Sequence, residues 1–163
     1  MTPATVRLRP AVPDDVGPLA ALWHAGWLDG HTGHVPDALH EHRRPADFLA
    51  RVPARLDATT VAVDGSAIVG FVTVVGDEVE QLYVASTSRG GGVATALLDH
   101  GESFVATHHE VAWLAVVAGN ERARRFYARQ GWRDDGLFDH RADIAGGTMT
   151  IPAHRYDKTV GGR

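Results

Sequence analysis

The sequence predicts a mixed α/β protein with a single, mostly antiparallel sheet and helices on both faces, in the order βααβββαβαββ. Three observations lead there. Two β-branched runs, Thr59 to Val63 and Ala67 to Val75, flank Asp64-Gly65-Ser66, a strong hairpin signal. A third run, Glu78 to Val84, meets the glycine loop Arg89-Gly90-Gly91-Gly92 and then an apolar helical stretch. After that helix another strand, Val111 to Val117, completes a strand-helix-strand crossover, so part of the sheet is parallel.

Val6 and Leu8 alternate with arginines as a first strand, and Pro10 to Pro13 turn the chain into a helix capped by Asp14 or Asp15. Val16, Leu19, Leu22, Trp23 and Gly26/Trp27 lie on one side of that helix. From Trp27 to Arg44 the chain is too rich in His and Gly to assign an element, and such segments are often functional loops. His31, His34, His40 and His42 fall there. Their spacing lacks a convergent third ligand, so they read as solvated loop histidines and no metal is assigned. Pro45 to Leu56 reads as a second helix with Phe48, Leu49, Val52 and Leu56 as its buried stripe.

In the helix after the glycines, Val93, Leu97, Gly101 and Phe104 recur at helical spacing. Glycines without a Cβ let a backbone approach a ligand closely. First-turn N–H groups and the helix dipole favour an anion such as a pyrophosphate, with the Arg89 charge at the rim. A P-loop is excluded because the loop lacks Gly-Lys-Ser/Thr, and Lys158 is the only lysine. The dinucleotide fingerprint is excluded as well, since Val93, Ala94 and Thr95 follow Gly92 with no third glycine. Asn120 to Gln130 forms an amphipathic helix stopped by Gly131, with Ala123, Phe126 and Tyr127 on its apolar face. Trp132 to Phe138 and Thr148 to Tyr156 read as a closing hairpin.

At 163 residues the chain reads as one domain, 1–163, able to bury roughly 70% of its unfolded surface. No apolar run approaches a membrane span and no signal peptide is evident, so a cytoplasmic protein is expected, with no membrane partner. The chain has no cysteine, which excludes disulfides, thiolate zinc sites and an acyl-cysteine route. A net charge of −4 with dispersed arginines argues against nucleic acid as a partner.

Arg89-Gly90-Gly91-Gly92-Val93-Ala94 matches Q/R-x-x-G-x-G/A, and Asn-x-x-Ala-x-x-Phe-Tyr-x-x-x-Gly-Trp runs from Asn120 to Trp132. Both resemble motifs of the GCN5-related N-acetyltransferases (GNAT). The likeness is strongest from Glu78 to Ala106 and from Asn120 to Trp132, and weak before residue 60. It implies a GNAT-like acyl-CoA acyltransferase fold and acetyl-CoA as acyl-donor cosubstrate. Transfer to a primary amine of a small molecule or peptide would proceed by direct attack in a ternary complex. A non-catalytic CoA-binding sensor on the same scaffold is the alternative, and a homodimer is an open option.

The resemblance also implies roles. Leu82, Tyr83 and Val84 would border a gap holding the pantetheine arm, with the Leu82 N–H on the acyl oxygen. Arg89 to Thr95 would hold the pyrophosphate. Asn120 and Ala123 would contact the arm, Asn120 also being a plain N-cap by its position. Tyr127 would protonate the departing thiolate, a role suited to a phenol that stays protonated at neutral pH; by spacing alone it reads rather as a core residue beside Phe126, and the two motifs together reverse that preference. Strand alternation puts Glu78 and Glu80 on the face of Leu82 and Val84, an unusual place for carboxylates in a core. Either is a candidate base by resemblance, and otherwise they are solvated edge carboxylates. Trp23, Trp27, the 31–37 loop with His34, Trp113 and Phe138 are candidates for the acceptor side.

Overall fold

The computed structural model describes residues 6–161. Its seven strands form one sheet in the order β1-β2-β3-β4-β5-β7-β6. These are β1 (Val6–Pro10), β2 (Thr59–Asp64), β3 (Ala67–Val75), β4 (Glu78–Val84), β5 (Val111–Val117), β6 (Arg133–Ile144) and β7 (Gly147–Thr159). Every neighbouring pair is antiparallel except β4 and β5. Helices α1 (Val16–His31) and α3 (Pro45–Arg51), with the single turn α2 (Asp37–His40) between them, cover one face. Helices α4 (Val93–Ala106) and α5 (Glu121–Arg129) cover the other. The expected architecture is thus the observed one.

Two apolar cores follow from this layering. Trp23, Trp27, Phe48, Val61 and Phe71 fill the α1 side, while Val72, Val74, Leu97, Leu98, Leu114 and Tyr156 fill the α4 side. The α4 side also holds a buried ion pair: Glu102, 1% exposed, takes Lys158 Nζ at 2.8 Å and the Trp132 indole N–H at 3.2 Å. Asp15 joins β1 to α1 by accepting both Arg9 guanidinium nitrogens, at 2.7 and 3.0 Å, and the Val12 N–H at 2.8 Å. Among the described residues no helix is long and apolar enough to cross a membrane.

Several elements differ from their sequence expectation for identifiable reasons. Helix α1 runs on to His31 through the Gly/His-rich stretch, because Gly26 lets it lie against the Tyr83 ring and Gly30 against the Asn120 amide. Helix α3 stops at Arg51 and becomes a 3₁₀ segment, Val52–Ala58, as Pro53 removes a helix N–H. Leu49, expected inside, is 49% exposed, and Phe104 is 57% exposed on α4, where Val105 turns inward instead. The closing hairpin is longer than expected: β6 continues through the polar Asp139–Asp143 stretch because it is an edge strand with one open face.

Candidate active site

The site is organised by an irregularity in β4. Val72 pairs with Leu82 and Thr73 with Gln81, but Val74 pairs with Val79, so Glu80 is the extra residue of a β-bulge. A bulge reverses the alternation beyond it. Val79 therefore joins Leu82 and Val84 on the α4 face, while Glu78 and Glu80 turn to the α1 face shared with Tyr83. The expectation that both carboxylates share a face with Leu82 and Val84 is corrected by this one inserted residue.

Past the bulge β4 leaves its parallel neighbour. The two strands pair only at Glu78 and Trp113, joined by the Trp113 N–H on the Asp77 carbonyl at 3.0 Å, and then diverge. The split opens into a cavity of about 570 Å³. Its walls are Glu78 to Tyr83 from β4, Leu114 to Val117 from β5, Asn120, Ala123 and Tyr127 around α5, Trp23, Trp27 and His31 from α1, and His140 to Asp143 from β6.

The glycine loop stands at the head of α4. Gly90 and Gly92 hold φ of +81° and +83°, which side chains disfavour, and a Cβ on either would meet nothing within 4 Å. Gly92 is the N-cap and gives its carbonyl to the Ala96 N–H at 3.0 Å, leaving the N–H groups of Val93, Ala94 and Thr95 without helical acceptors. Open space, free donors and a fourteen-residue helix dipole suit a pyrophosphate, and the adjoining split suits an extended arm. The residues present therefore fit acetyl-CoA. The Val93 side chain, in contrast, is buried core, so only its backbone faces the loop. Arg89 is ion-paired with Asp29 of α1, which also takes Arg122 at 3.4 Å. These arginines hold the Asp29 carboxyl below its usual range.

Tyr127 is 8% exposed, ringed by Phe126, Trp132 and Tyr156, and still lines the cavity, so it is both packed and accessible to it. Burial, with a smaller contribution from Tyr83, pushes its phenol pKa up. Asn120 also combines its two expected positions, since its side chain caps α5 on the Ala123 N–H at 3.2 Å and lines the cavity.

Glu78 and Glu80 separate by environment. Glu80 receives Arg55 Nε at 2.8 Å. Glu78 forms no ion pair among the described residues, and burial, then the charges of Glu80 and Asp77, push its carboxyl up to about 7. That is a useful range for a group that must accept a proton at neutral pH.

Of the acceptor-side candidates, Trp27 lies on the cavity wall with His31 stacked on it at 4.8 Å and His40 edge-on at 5.1 Å. The reading of these two histidines as solvated loop residues is corrected: they clasp an indole, and enclosure lowers the His31 pKa to about 4. His34 sits against Gly119 rather than on the cavity wall. Trp113 lies at the closed end of the split, its N–H on Asp77 at 3.1 Å and Arg155 4.3 Å from its ring centroid. Phe138 packs on His140 instead.

Sequence reasoning missed the basic lining. Arg51 lies over the Trp23 ring at 4.6 Å, Arg43 is 5% exposed, and Arg55 holds Glu80. A signal for two of them existed: Phe48, Arg51, Val52 and Arg55 follow inward helical spacing, so two arginines occupy apolar-stripe positions.

The Acetyltransferase (GNAT) family profile matches residues 22–132. A GCN5-related N-acetyltransferase from Rhodopseudomonas palustris superposes with a TM-score of 0.76 at 25% identity, covering 98% of both chains. Apo YjaB from Escherichia coli gives 0.73 at 21% identity, over 94% of this chain and 97% of its own. The PaiA N-acetyltransferase from Thermoplasma acidophilum, solved in complex with coenzyme A, gives 0.65 at 16% identity, over 95% and 99%. No curated protein matches the sequence. With the profile spanning both the glycine loop and the Tyr127 helix, the chain belongs to the GNAT acetyltransferase family.

Proposed function

We propose that this protein is an acyl-CoA-dependent N-acyltransferase that moves acetyl from acetyl-CoA to the primary amine of a small molecule or peptide. The observation that carries the reading is the split between β4 and β5: the glycine loop lies beyond one end, and the split opens into a cavity lined by both Glu78 and Tyr127. Acetyl-CoA supplies the activated acyl carbon. Glu78 takes the proton of the incoming amine as its nitrogen bonds to that carbon. The Leu82 N–H serves the acyl oxygen, where one backbone donor is worth roughly 3 kcal/mol. Tyr127 gives its proton to the sulfur as the carbon–sulfur bond breaks, and its raised pKa keeps that proton in place at neutral pH. Glu80, neutralised by Arg55, is a supporting charge beside the base.

The test is acetyl-CoA binding followed by thiol release across a panel of amines. Acetyl-CoA at ~100 times its Kd should add roughly 2.7 kcal/mol of stability. Gly92→Asp should remove the shift by placing a carboxylate at the helix head. Equal stabilisation of wild type and variant would refute the cofactor site. Stabilisation without thiol release from any amine would favour a CoA-binding sensor instead.

A further inference from the structure

On the α1 side of the cavity two guanidinium groups, Arg43 and Arg51, stand without a carboxylate partner among the described residues. Arg43 is 5% exposed; its two terminal nitrogens donate to the backbone carbonyls of His42 at 2.9 Å and Asp143 at 2.6 Å, and its Nε–H has no acceptor. Carbonyls orient a cation but do not neutralise it. Arg51 rests on the Trp23 ring, and neither arginine forms an ion pair among the described residues. Burial depresses both, Arg43 to about 10, and the Arg51 charge further disfavours that of Arg43. Two desolvated like charges on one wall destabilise the fold unless an anion joins them.

The neighbouring charges set how much anion is missing. Arg55 is neutralised by Glu80. Asp143 acts on both arginines through space, Asp47 also on Arg43 and Glu80 also on Arg51, so the charge of this wall is largely offset at a distance while neither guanidinium fork holds a carboxylate among the described residues. A planar, singly charged carboxylate matches such a fork, whereas a dianionic phosphate would exceed the charge to be balanced. Glu78 stands in the same cavity as the candidate proton acceptor.

We propose that the acceptor is a small amino-carboxylate of the amino-acid class, its carboxylate held by Arg43 and Arg51 and its amine presented to Glu78. This rests on the acyltransferase reading above and narrows its substrate.

The experiment compares free α- and ω-amino acids with their amides and decarboxylated counterparts, by thiol release and by calorimetric binding in the presence of CoA. Wild type, Arg51→Gln and Arg51→Lys are run together. At least one free amino acid should be used roughly 100-fold better than its amide. Arg51→Gln should raise KM for it roughly 30-fold with kcat little changed, the size expected when one partner of a desolvated charge pair is removed. Arg51→Lys should recover part of the loss. Equal use of acid and amide, or an unchanged KM in Arg51→Gln, would overturn the proposal while leaving the acyltransferase standing. Carboxylate binding that weakens in Arg51→Gln, without turnover of any amine, would keep the anion site and refute the enzyme. The absence of both turnover and binding of every amino acid would overturn the anion site.

Discussion

Glu78 yields the sharpest prediction, because its perturbed ionisation lies in the range of ordinary assays. With a carboxyl pKa of about 7, the proton-accepting form is about 9% of the enzyme at pH 6 and about 91% at pH 8, a tenfold rise. At an unperturbed carboxylate pKa the same interval would change it by only a few per cent. Turnover should therefore climb about tenfold from pH 6 to pH 8 beyond whatever the acceptor amine itself contributes. Dividing the wild-type kcat/KM profile by that of Glu78→Gln cancels the amine's own titration and leaves the limb of the base. Glu80→Gln should keep the limb but move it to lower pH, since it removes a charge that raises Glu78 and frees Arg55, which lowers it. A ratio flat between pH 5.5 and 8.5 would refute Glu78 as base, and loss of the limb in Glu80→Gln alone would transfer the role to Glu80.

The same shift has a stability counterpart. The folded state holds the Glu78 proton more tightly than the unfolded chain does, so its penalty on folding is absent below the unfolded pKa. It grows as pH rises toward 7 and is constant above. Glu78→Gln should thus have a higher melting temperature than wild type at pH 8, with the difference closing on acidification. A residue that improves stability when neutralised is the expected signature of a site shaped by function.

Other expectations concern separate parts of the molecule. Tyr127→Phe keeps the ring contacts and deletes the proton, so turnover should fall roughly 10²-fold at nearly constant acetyl-CoA affinity in stopped-time assays and calorimetry. Lys158→Met leaves Glu102 buried without its ammonium partner and should destabilise by ~3–5 kcal/mol in urea denaturation, with Glu102→Gln in the same chain recovering part of it. Gly26→Ala places a Cβ into the Tyr83 ring at Cδ1, so the ring must shift, at ~1–3 kcal/mol in the same assay.

What could be read from the sequence was what local rules determine. Gly90 and Gly92 announce positive φ, the stripe through Val93 and Leu97 announces a helix, and the Gly65-Ser66 turn fixes a hairpin. The motifs around Gly92 and Asn120 lie on these same elements. The acceptor side was less legible because distant contacts build it. Helix α1 reaches His31 only because Gly26 and Gly30 meet Tyr83 and Asn120, residues far along the chain. Arg43 is buried because β6 supplies the Asp143 carbonyl a hundred residues later. Nothing near Arg43 in sequence announces that partner.

The bulge at Glu80 explains why the base was the hardest assignment. Alternation is a reliable rule only while each strand contributes one residue per position, and a run such as Glu-Val-Glu-Gln-Leu reads the same with or without an insertion. With strict alternation, Glu78 and Glu80 would have faced α4 and been buried among Val72, Val74 and Leu97, where two carboxylates would be strongly unfavourable. The extra residue resolves that conflict by keeping Val79 in the core and turning both acids toward the arginines of the α1 side. The same irregularity lies where β4 parts from β5, so a single inserted residue helps open the split and places Glu78 on it. Deleting that residue should regularise the ladder while keeping Val79 opposite Val74 and Glu78 on the α1 face, so it isolates the opening of the split: β4 should pair further along β5, and acetyl-CoA binding and turnover should fall. A deletion variant that folds as well as wild type and binds and turns over acetyl-CoA equally would show that the bulge is incidental to the site.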